Sequence, residues 1–224
     1  NRIYCSVDAS LDHLVERVVD PIVKKGKHVE VLNRFLDRID DSVYNFMLDL
    51  VTPEEPLAVL CHGDFCRNNI LFKYTDGKPN DVKFFDVATA RYSSTMIDIS
   101  FLLLMNSSPE FRQAHLEDLL TIYHKALSTA VPGTTVPSLE DIREEFTKKA
   151  IYGFIHCSFF LPIMFFDYNP FSDTELIVSV SQEKVAQDHV AVGGDAGTKL
   201  LSDLLEELIE RGCLTLQHSF LKSR

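Results

Sequence analysis

The sequence predicts a mainly α-helical protein with one small β-hairpin, an α+β fold in which helices dominate. Three observations carry this prediction. Apolar residues recur at helical spacing before residue 51 and through most of the chain after residue 97, as in helices that bury one face. Between these regions, two short apolar runs flank an Asp76-Gly77 pair, which is typical of a hairpin. The composition, 46% hydrophobic and 25% charged over 224 residues, is that of a globular protein with a sizeable core.

The first predicted element is an amphipathic helix over residues 29–50. Its apolar face consists of Leu32, Phe35, Leu36, Ile39, Val43, Phe46, Met47 and Leu50. Pro53 and Pro56 end the pattern, because proline lacks the amide hydrogen that a helix interior needs. Residues 57–61 then form a short apolar run, which we interpret as a strand or a buried lead-in to the following loop.

The hairpin is predicted from two strand-like runs at residues 70–74 and 82–87. The residues between them, Thr-Asp-Gly-Lys-Pro-Asn-Asp at 75–81, form a cluster of turn-favouring types with Asp-Gly near its centre. An antiparallel hairpin brings the start of its first strand beside the end of its second strand. Residues near position 69 and position 86 are therefore expected to be neighbours in space.

Helices are predicted for most of the chain after the hairpin. Residues 98–105 form a short apolar helix. Ser108 can cap a helix that begins at Pro109 and runs to about residue 130, since serine favours the N-cap and proline the first helical position. Ser138 and Asp141 form a start of the capping-box type for the next helix.

The helix that starts there enters an uncharged, strongly apolar segment at residues 151–166. This segment is slightly shorter than a bilayer span and contains Pro162, so we interpret it as a buried helix kinked at the proline rather than a membrane span. Residues 174–188 are predicted to be helical and residues 193–197 to form a loop. A last helix is predicted over residues 199–211, ending at Gly212.

Charge and cysteine content narrow the class of protein. The net charge of −11 argues against nucleic acid or an anionic membrane as a partner, because both attract basic surfaces. The five cysteines are scattered, with no Cys-x-x-Cys spacing, which indicates reduced thiols in an intracellular protein. The N-terminal residues are charged and do not resemble a signal peptide. We therefore expect a cytoplasmic location.

The stretch LCHGDFCRNNILF, at residues 60–72, carries the most informative side chains. Phosphoryl transfer needs a carboxylate near the attacking hydroxyl and oxygen ligands for magnesium. Asp64 could accept the proton of a substrate hydroxyl. Asn69 could offer a neutral oxygen to Mg²⁺ and Asp86 a charged one. The predicted hairpin would bring these residues together.

Two longer motifs around these residues resemble a known family. His-Gly-Asp is followed by Asn-Asn-Ile-Leu-Phe-Lys-Tyr, an Asp-Gly-Lys-Pro turn, Asp-Val-Lys-Phe, Asp86, Ala-Arg-Tyr and, twelve residues after Asp86, Asp98. Over residues 60–106 this order resembles the ecdysteroid kinase-like (CHK kinase-like) branch of the aminoglycoside and choline kinases. These enzymes share the protein-kinase fold and act on small molecules.

The resemblance implies a role for each matching residue. Asp64 resembles the catalytic base, and His62 the catalytic-loop residue that braces the loop. Asn69 and Asp86 resemble the ligands of Mg²⁺, through which ATP is held, and Asp98 resembles a residue that supports the loop by hydrogen bonding from the next helix. The implied function is an ATP- and Mg²⁺-dependent phosphotransferase acting on a small-molecule alcohol, with an ecdysteroid-like alcohol as one candidate.

The resemblance also implies that residues 1–224 form a kinase-like large (C-terminal) lobe. Its catalytic loop and metal-binding hairpin would occupy residues 60–106, and a helical bundle residues 108–224. No strand-rich segment precedes residue 57, and no Gly-x-Gly-x-x-Gly follows a predicted strand. We therefore expect the N-terminal lobe to be absent, in a fragment or a natural short form, and the chain to be a poor kinase alone.

Two departures from the family pattern leave the choice of substrate and the packing of the loop open. Cys66 stands where the family usually has an aromatic residue, and Val87-Ala88 where it often has Phe-Gln. One alternative function is a catalytically silent, kinase-like binding module. A metal-dependent hydrolase using His62 and Asp64 lacks further histidine ligands. A zinc site formed by Cys61, His62 and Cys66 lacks a second ligand pair.

Overall fold

A computed structural model of the chain describes residues 15–39, 43–166, 187–188 and 190–214. The predicted class, mainly α with a small β part, is confirmed. In chain order the elements are α1 (15–24), α2 (Val29–Arg38), α3 (Val43–Val51), β1 (Ala58–Cys61), β2 (Ile70–Thr75), β3 (Lys78–Phe84), β4 (Arg91–Ser94), α4 (Thr95–Asn106), α5 (Pro109–Ala130), α6 (Leu139–Phe165) and α7 (Gly194–Glu210).

The strands form two antiparallel pairs, β1 with β4 and β2 with β3. The predicted hairpin is confirmed, with Ile70 opposite Phe84 and Thr75 opposite Lys78. Its turn is shorter than the sequence predicted, because Asp76 and Gly77 both adopt left-handed φ angles, 52° and 75°, as in the tight two-residue turns that match strand twist. The second strand therefore starts at Lys78 and ends at Phe84, two residues before Asp86.

Two helix predictions are corrected. The single helix over residues 29–50 is wrong, since α2 ends at Arg38, with Ile39 as its C-cap, and a separate helix begins at Val43. Ile39 has φ −99° and ψ 8°, outside the helical region, and its amide bonds back to the Phe35 and Leu36 carbonyls. The loop predicted over residues 193–197 is also wrong, because α7 begins at Gly194 and carries Asp195 in its first turn, where the helix dipole favours an acidic side chain.

The capping predictions are confirmed. Ser108 Oγ accepts from the amide of Phe111 at 3.2 Å, and Pro109 opens α5. Ser138 Oγ accepts from the Asp141 amide at 3.1 Å while the Asp141 carboxylate accepts from the Ser138 amide at 2.8 Å, which is the reciprocal pattern of a capping box. Gly212 ends α7 at φ 78°, with the Cys213 amide bonded back to the Leu208 carbonyl.

The apolar segment predicted as a buried helix lies in α6, which includes Pro162. Most of its residues between 150 and 162 are buried. In the part of the chain that the structure describes, no helix combines the length and apolar character needed to cross a membrane. The helix predicted over residues 174–188 lies outside the described residues except for its last two positions.

The chain divides into two compact units, one of residues 50–154 and one of residues 1–49 with 155–224. In the unit of residues 50–154, α4 is the central helix, and its residues Met96, Ile97, Phe101 and Leu104 are buried. Gly153 of α6 meets α4 so closely that a Cβ there would lie 2.7 Å from the Ser100 carbonyl carbon. This unit contains every sequence-predicted site residue.

In the second unit, α1 contacts the start of α7. Ser202 Oγ donates to the Val18 carbonyl at 3.1 Å. The Arg17 guanidinium donates to Thr198 Oγ1 at 2.6 Å and to the Val192 carbonyl at 3.0 Å. Burial of this guanidinium lowers the pKa of Arg17, but the several carbonyl acceptors around it satisfy its donors. We interpret this contact as structural.

Candidate active site

The site is built on the loop that follows β1. β1 pairs with β4 so that Cys61 lies opposite Arg91, and the chain then turns sharply at Gly63, whose φ is +85°. A Cβ at this glycine would lie 2.1 Å from the carbonyl oxygen of Thr89. Glycine is therefore required here for two reasons, its left-handed backbone and the close passage of the segment that precedes β4.

Asp98 holds this turn from α4. Its carboxylate accepts from the His62 amide at 2.6 Å and from the Gly63 amide at 2.9 Å. The side chain is only 8% exposed, and burial raises the pKa of Asp98 while the two amide hydrogen bonds oppose that rise. Because Ser94 caps α4 by accepting from the Met96 amide, the Asp98 carboxylate is not used as the helix cap and serves the loop instead.

His62 is held at both ring nitrogens. Nε2 lies 2.8 Å from the carbonyl oxygen of Phe85, and a carbonyl can only accept, so Nε2 carries the hydrogen. Nδ1 is then the acceptor that faces the Asp64 amide at 3.4 Å. The ring thus joins the loop to the end of the hairpin, which is the geometry of a bracing residue rather than of a general base.

Asp64 and Asn69 form the centre of the site. The Asn69 side-chain amide donates to the Asp64 carbonyl at 2.8 Å and to Asp64 Oδ2 at 2.9 Å. Both partners are acceptors, so the amide nitrogen must face Asp64 and the amide oxygen, Oδ1, must face away. Asn69 is only 7% exposed and lies in a short 3₁₀ turn that leads into β2. Its position is therefore well defined, with one oxygen oriented away from the Asp64 carboxylate.

Phe85, the residue before Asp86, contacts the catalytic loop at two places through its backbone. The Phe85 amide donates to the Asn69 carbonyl at 3.2 Å, and the Phe85 carbonyl accepts from His62. Asp86 itself is exposed and adopts a left-handed φ of 59°, which is uncommon outside glycine, asparagine and aspartate. The residue next to Asp86 therefore contacts both Asn69 and His62. This agrees with the prediction that residues near positions 69 and 86 are neighbours in space.

The oxygen atoms available at this place fit Mg²⁺ better than zinc. Among the described residues there is no group of three His, Cys, Asp or Glu side chains that could hold a metal ion. Mg²⁺ needs fewer protein ligands, because it keeps several waters and takes phosphate oxygens. Asn69 Oδ1 and the exposed Asp86 carboxylate are suitable hard ligands.

Cys61 is unsuited to the zinc alternative. Its thiol is buried and shares its one hydrogen between the Ser93 and Ser94 carbonyls, each 3.3 Å away, and burial raises the pKa of Cys61 to about 12. A zinc ligand must be a thiolate, which would lose both of these contacts.

Three contributors to the site were not predicted from the sequence. The Phe85 carbonyl accepts from His62, the Thr89 hydroxyl donates to the His62 carbonyl at 3.3 Å, and the Phe65 ring packs edge-on against Phe84 with ring centroids 5.1 Å apart. Two of these act at backbone atoms, which carry no signal of residue type. The Phe65–Phe84 contact was open to prediction from the aromatic positions on the loop and on the hairpin.

Comparison with known proteins agrees with this arrangement. The model of the ecdysteroid kinase-like family matches residues 3–132, more than half of the chain, and confirms the resemblance inferred from residues 60–106. The chain belongs to the ecdysteroid kinase-like family. No curated protein and no solved structure gave a significant match. Family membership supports a small-molecule kinase-like fold.

Proposed function

We propose that this protein is, or derives from, an ATP- and Mg²⁺-dependent phosphotransferase that acts on a hydroxyl group of a small molecule. The observation that carries the proposal is the Asp64–Asn69 pair, in which one amide orients a half-buried carboxylate while turning its own oxygen away. Enzymes of this chemistry work by positioning and by electrostatics rather than by covalent steps. Two fixed polar side chains beside a metal-ligating aspartate suit that requirement.

Each residue has a defined task in this proposal. Asp64 accepts the proton of the attacking hydroxyl, and the hydrogen bond from Asn69 to Oδ2 fixes the orientation of the carboxylate. Asn69 Oδ1 and Asp86 would hold Mg²⁺, through which ATP would bind. The bound ion would supply neutralisation of the charge on the transferred phosphate. His62 and Asp98 position the loop through its backbone and do not touch substrate.

The substrate class is a small alcohol, with an ecdysteroid-like alcohol as the first candidate because of the family. A cytoplasmic location and the absence of nucleic-acid and membrane partners accord with the charge of −11 and the scattered cysteines. The described residues before β1 contain no strand. The residues proposed as the base and as the metal ligands all lie between positions 62 and 86.

One observation favours a second candidate, a catalytically silent kinase-like binding module. Six large apolar side chains on or beside the hairpin are 41–61% exposed, namely Leu71, Phe72, Tyr74, Val82, Phe84 and Phe85. Phe72 lies opposite Val82, and its ring centroid is 6.5 Å from that of Tyr74. Exposed apolar side chains grouped in this way commonly mark an interaction site. A binding module would use this surface and would have no need of Asp64 as a base.

Two substitutions separate these functions. We expect Asp64→Asn to lower transfer of phosphate from ATP to the alcohol by at least ~10²-fold in the natural protein, without changing Mn²⁺ binding to this chain. Asp86→Asn should weaken binding of the Mn²⁺-ATP complex by about tenfold, measured by the enhancement of water-proton relaxation that the complex shows when it binds the chain. Asp118→Asn, at an exposed position of α5, is the control and should alter neither quantity.

The outcomes distinguish the candidates clearly. Full turnover in Asp64→Asn would exclude Asp64 as the base. Mn²⁺-ATP binding that depends on Asp86, combined with no transfer to any alcohol by the natural protein, would move the binding module to first place. Mn²⁺ binding that Asp86→Asn leaves unchanged would remove the metal site from the proposal.

A further inference from the structure

Arg91 is the first residue of β4 and has no task in the reaction proposed above. It lies opposite Cys61 in the β1–β4 pair, and Cys61 is the last residue of β1 before the candidate catalytic loop. The Arg91 side chain is only partly exposed. The strand pairing therefore places Arg91 beside the point at which the loop leaves β1.

The Arg91 side chain reaches the loop through Thr89. Its Nε donates to the Thr89 carbonyl at 3.2 Å. The Thr89 hydroxyl in turn donates to the His62 carbonyl at 3.3 Å, and the Thr89 carbonyl oxygen passes so close to Gly63 that no Cβ fits there. Arg91 therefore holds the residue that contacts both His62 and Gly63, the two residues of what we call the loop turn.

The loop turn also depends on Asp98, whose carboxylate accepts from both of its amides. A carboxylate has only acceptors, whereas a protonated carboxyl group turns one oxygen into a donor. Because Asp98 is only 8% exposed, burial favours its neutral form. A nearby positive charge that keeps Asp98 ionised would therefore stabilise the loop turn.

Arg91 supplies such a charge. The described titratable groups that act on Asp98 are Cys61 of β1, His62 of the loop, Arg91 of β4 and Tyr152 of α6. Burial raises the pKa of Asp98, and the two amides, the His62 ring and the Arg91 guanidinium oppose that rise. A thiol and a phenol are not cations, and His62 is neutral when Nε2 donates and Nδ1 accepts. A guanidinium, by contrast, stays charged at every relevant pH.

We propose that Arg91 is a positioning residue for the candidate catalytic loop. Its Nε fixes Thr89 against the loop turn, and its charge keeps Asp98 in the ionised form that accepts both amides of that turn. Asp64, the proposed base, directly follows the loop turn, so an ordered turn sets the position of its carboxylate. This last step rests on the proposed function, whereas both effects of Arg91 on the loop can be tested without a substrate.

Two substitutions separate these effects. Arginine combines a donor at Nε with a charge that extends to its terminal nitrogens. Arg91→Lys keeps a terminal charge and loses the donor at the Nε position, so it should release Thr89 while still acting on Asp98. Arg91→Gln removes the charge and should weaken both effects. Arg67→Gln is the matched control, because it removes one positive charge from an exposed position of the same loop.

The first measurement is the titration of Asp98 in the purified chain, followed through its carboxyl carbon resonance between pH 8 and pH 3. We expect the midpoint to lie at higher pH in Arg91→Gln than in the unaltered chain, because loss of the cation disfavours the carboxylate. Arg91→Lys should restore most of the original midpoint, and Arg67→Gln should leave it unchanged.

The second measurement is hydrogen exchange at the two amides of the loop turn at pH 7. We expect Arg91→Lys to accelerate this exchange about five- to tenfold, the equivalent of one lost hydrogen bond. Arg91→Gln should accelerate it at least as much, and Arg67→Gln should not change it. In the natural protein, Arg91→Gln should lower kcat for transfer to the alcohol and leave KM for ATP unchanged, because Arg91 positions the base and touches neither substrate.

Two results on the chain would overturn the proposal, namely an Asp98 midpoint that Arg91→Gln leaves unchanged and loop-turn exchange that Arg91→Lys leaves unchanged. An equal shift in Arg67→Gln would also overturn it, because any nearby charge would then serve. If Arg91→Gln does not fold, the unaltered chain still decides, since the Nε–H resonance of Arg91 should move with the Asp98 midpoint and a constant resonance would contradict the proposal. The expected shifts without any turnover by the natural protein would confirm the effect of Arg91 on the loop and count against the proposed function instead.

Discussion

The side-chain amide of Asn69 donates to two acceptors of Asp64, its carbonyl oxygen at 2.8 Å and its carboxylate at 2.9 Å. One side chain therefore sets both the backbone course of the loop and the orientation of the proposed base. The residue is nearly inaccessible to water, so water cannot replace the lost donors if Asn69 is changed. This contact can be tested without any metal ion or substrate.

Asn69→Asp is expected to destabilise the chain by about 1–3 kcal/mol, because it removes the two donors and adds a second negative charge beside Asp64. The measurement is the urea midpoint of unfolding in the presence of EDTA. Asn68→Asp is the matched control, since Asn68 precedes it in the same turn and is exposed. Equal destabilisation by the two substitutions would contradict the structural role assigned to Asn69.

Asp98 should protect two particular amides from exchange with solvent. In Asp98→Ala the amides of His62 and Gly63 lose their carboxylate acceptor, and we expect a loss of about 1–3 kcal/mol in the free energy of unfolding. Hydrogen exchange at these two amides should accelerate by more than at any amide of α5. Asp98→Asn retains one acceptor oxygen and should give an intermediate result, whereas Asp118→Ala should leave both amides protected.

Gly63 offers a test of the close passage between the loop and Thr89. Gly63→Ala meets a left-handed φ and a contact of 2.1 Å with the Thr89 carbonyl oxygen, whereas Gly77→Ala meets a left-handed φ of 75° with nothing within 4 Å. Holding an alanine at a left-handed φ costs about 1–2 kcal/mol at either position. The contact should add about 1–3 kcal/mol at Gly63 alone. Similar unfolding midpoints for the two variants would show that the loop moves away from Thr89 at little cost.

Local features of the fold were predictable from the sequence because their causes are local. Ser108 with Pro109, and Asp76 with Gly77, act within a few residues through hydrogen bonds and permitted φ angles. The break after Arg38 was missed because the apolar spacing of residues 29–50 continues across it. Periodicity alone does not show a short interruption between two helices whose faces stay in phase.

The site was predictable in its side chains and less so in its backbone. Asp64, Asn69, Asp86 and Asp98 belong to motifs whose order carries information, and the structure brings them to one loop and its supports. The Phe85 carbonyl, by contrast, is an atom that any residue supplies, and the Thr89 hydroxyl acts on a backbone carbonyl outside any motif. β4 is a four-residue strand with no apolar alternation. The catalytic and metal-binding roles stay predictions until the substitutions above are measured.

The buried thiol of Cys213 should make stability fall at high pH. Burial raises the pKa of Cys213 from 9.0 to about 12, so the thiol ionises in the unfolded chain first. Its contribution to stability is therefore complete below pH 9 and is lost as the pH rises towards 12. Between pH 8 and pH 10 the free energy of unfolding should fall by about 1.3 kcal/mol more in the unaltered chain than in Cys213→Ala. Urea titrations at both pH values measure this difference.

Cys66→Ala is the control, because Cys66 is only partly buried, and it should remove less of the pH dependence than Cys213→Ala. A fall that Cys213→Ala leaves unchanged would show that this thiol ionises as readily in the folded chain as in the unfolded one.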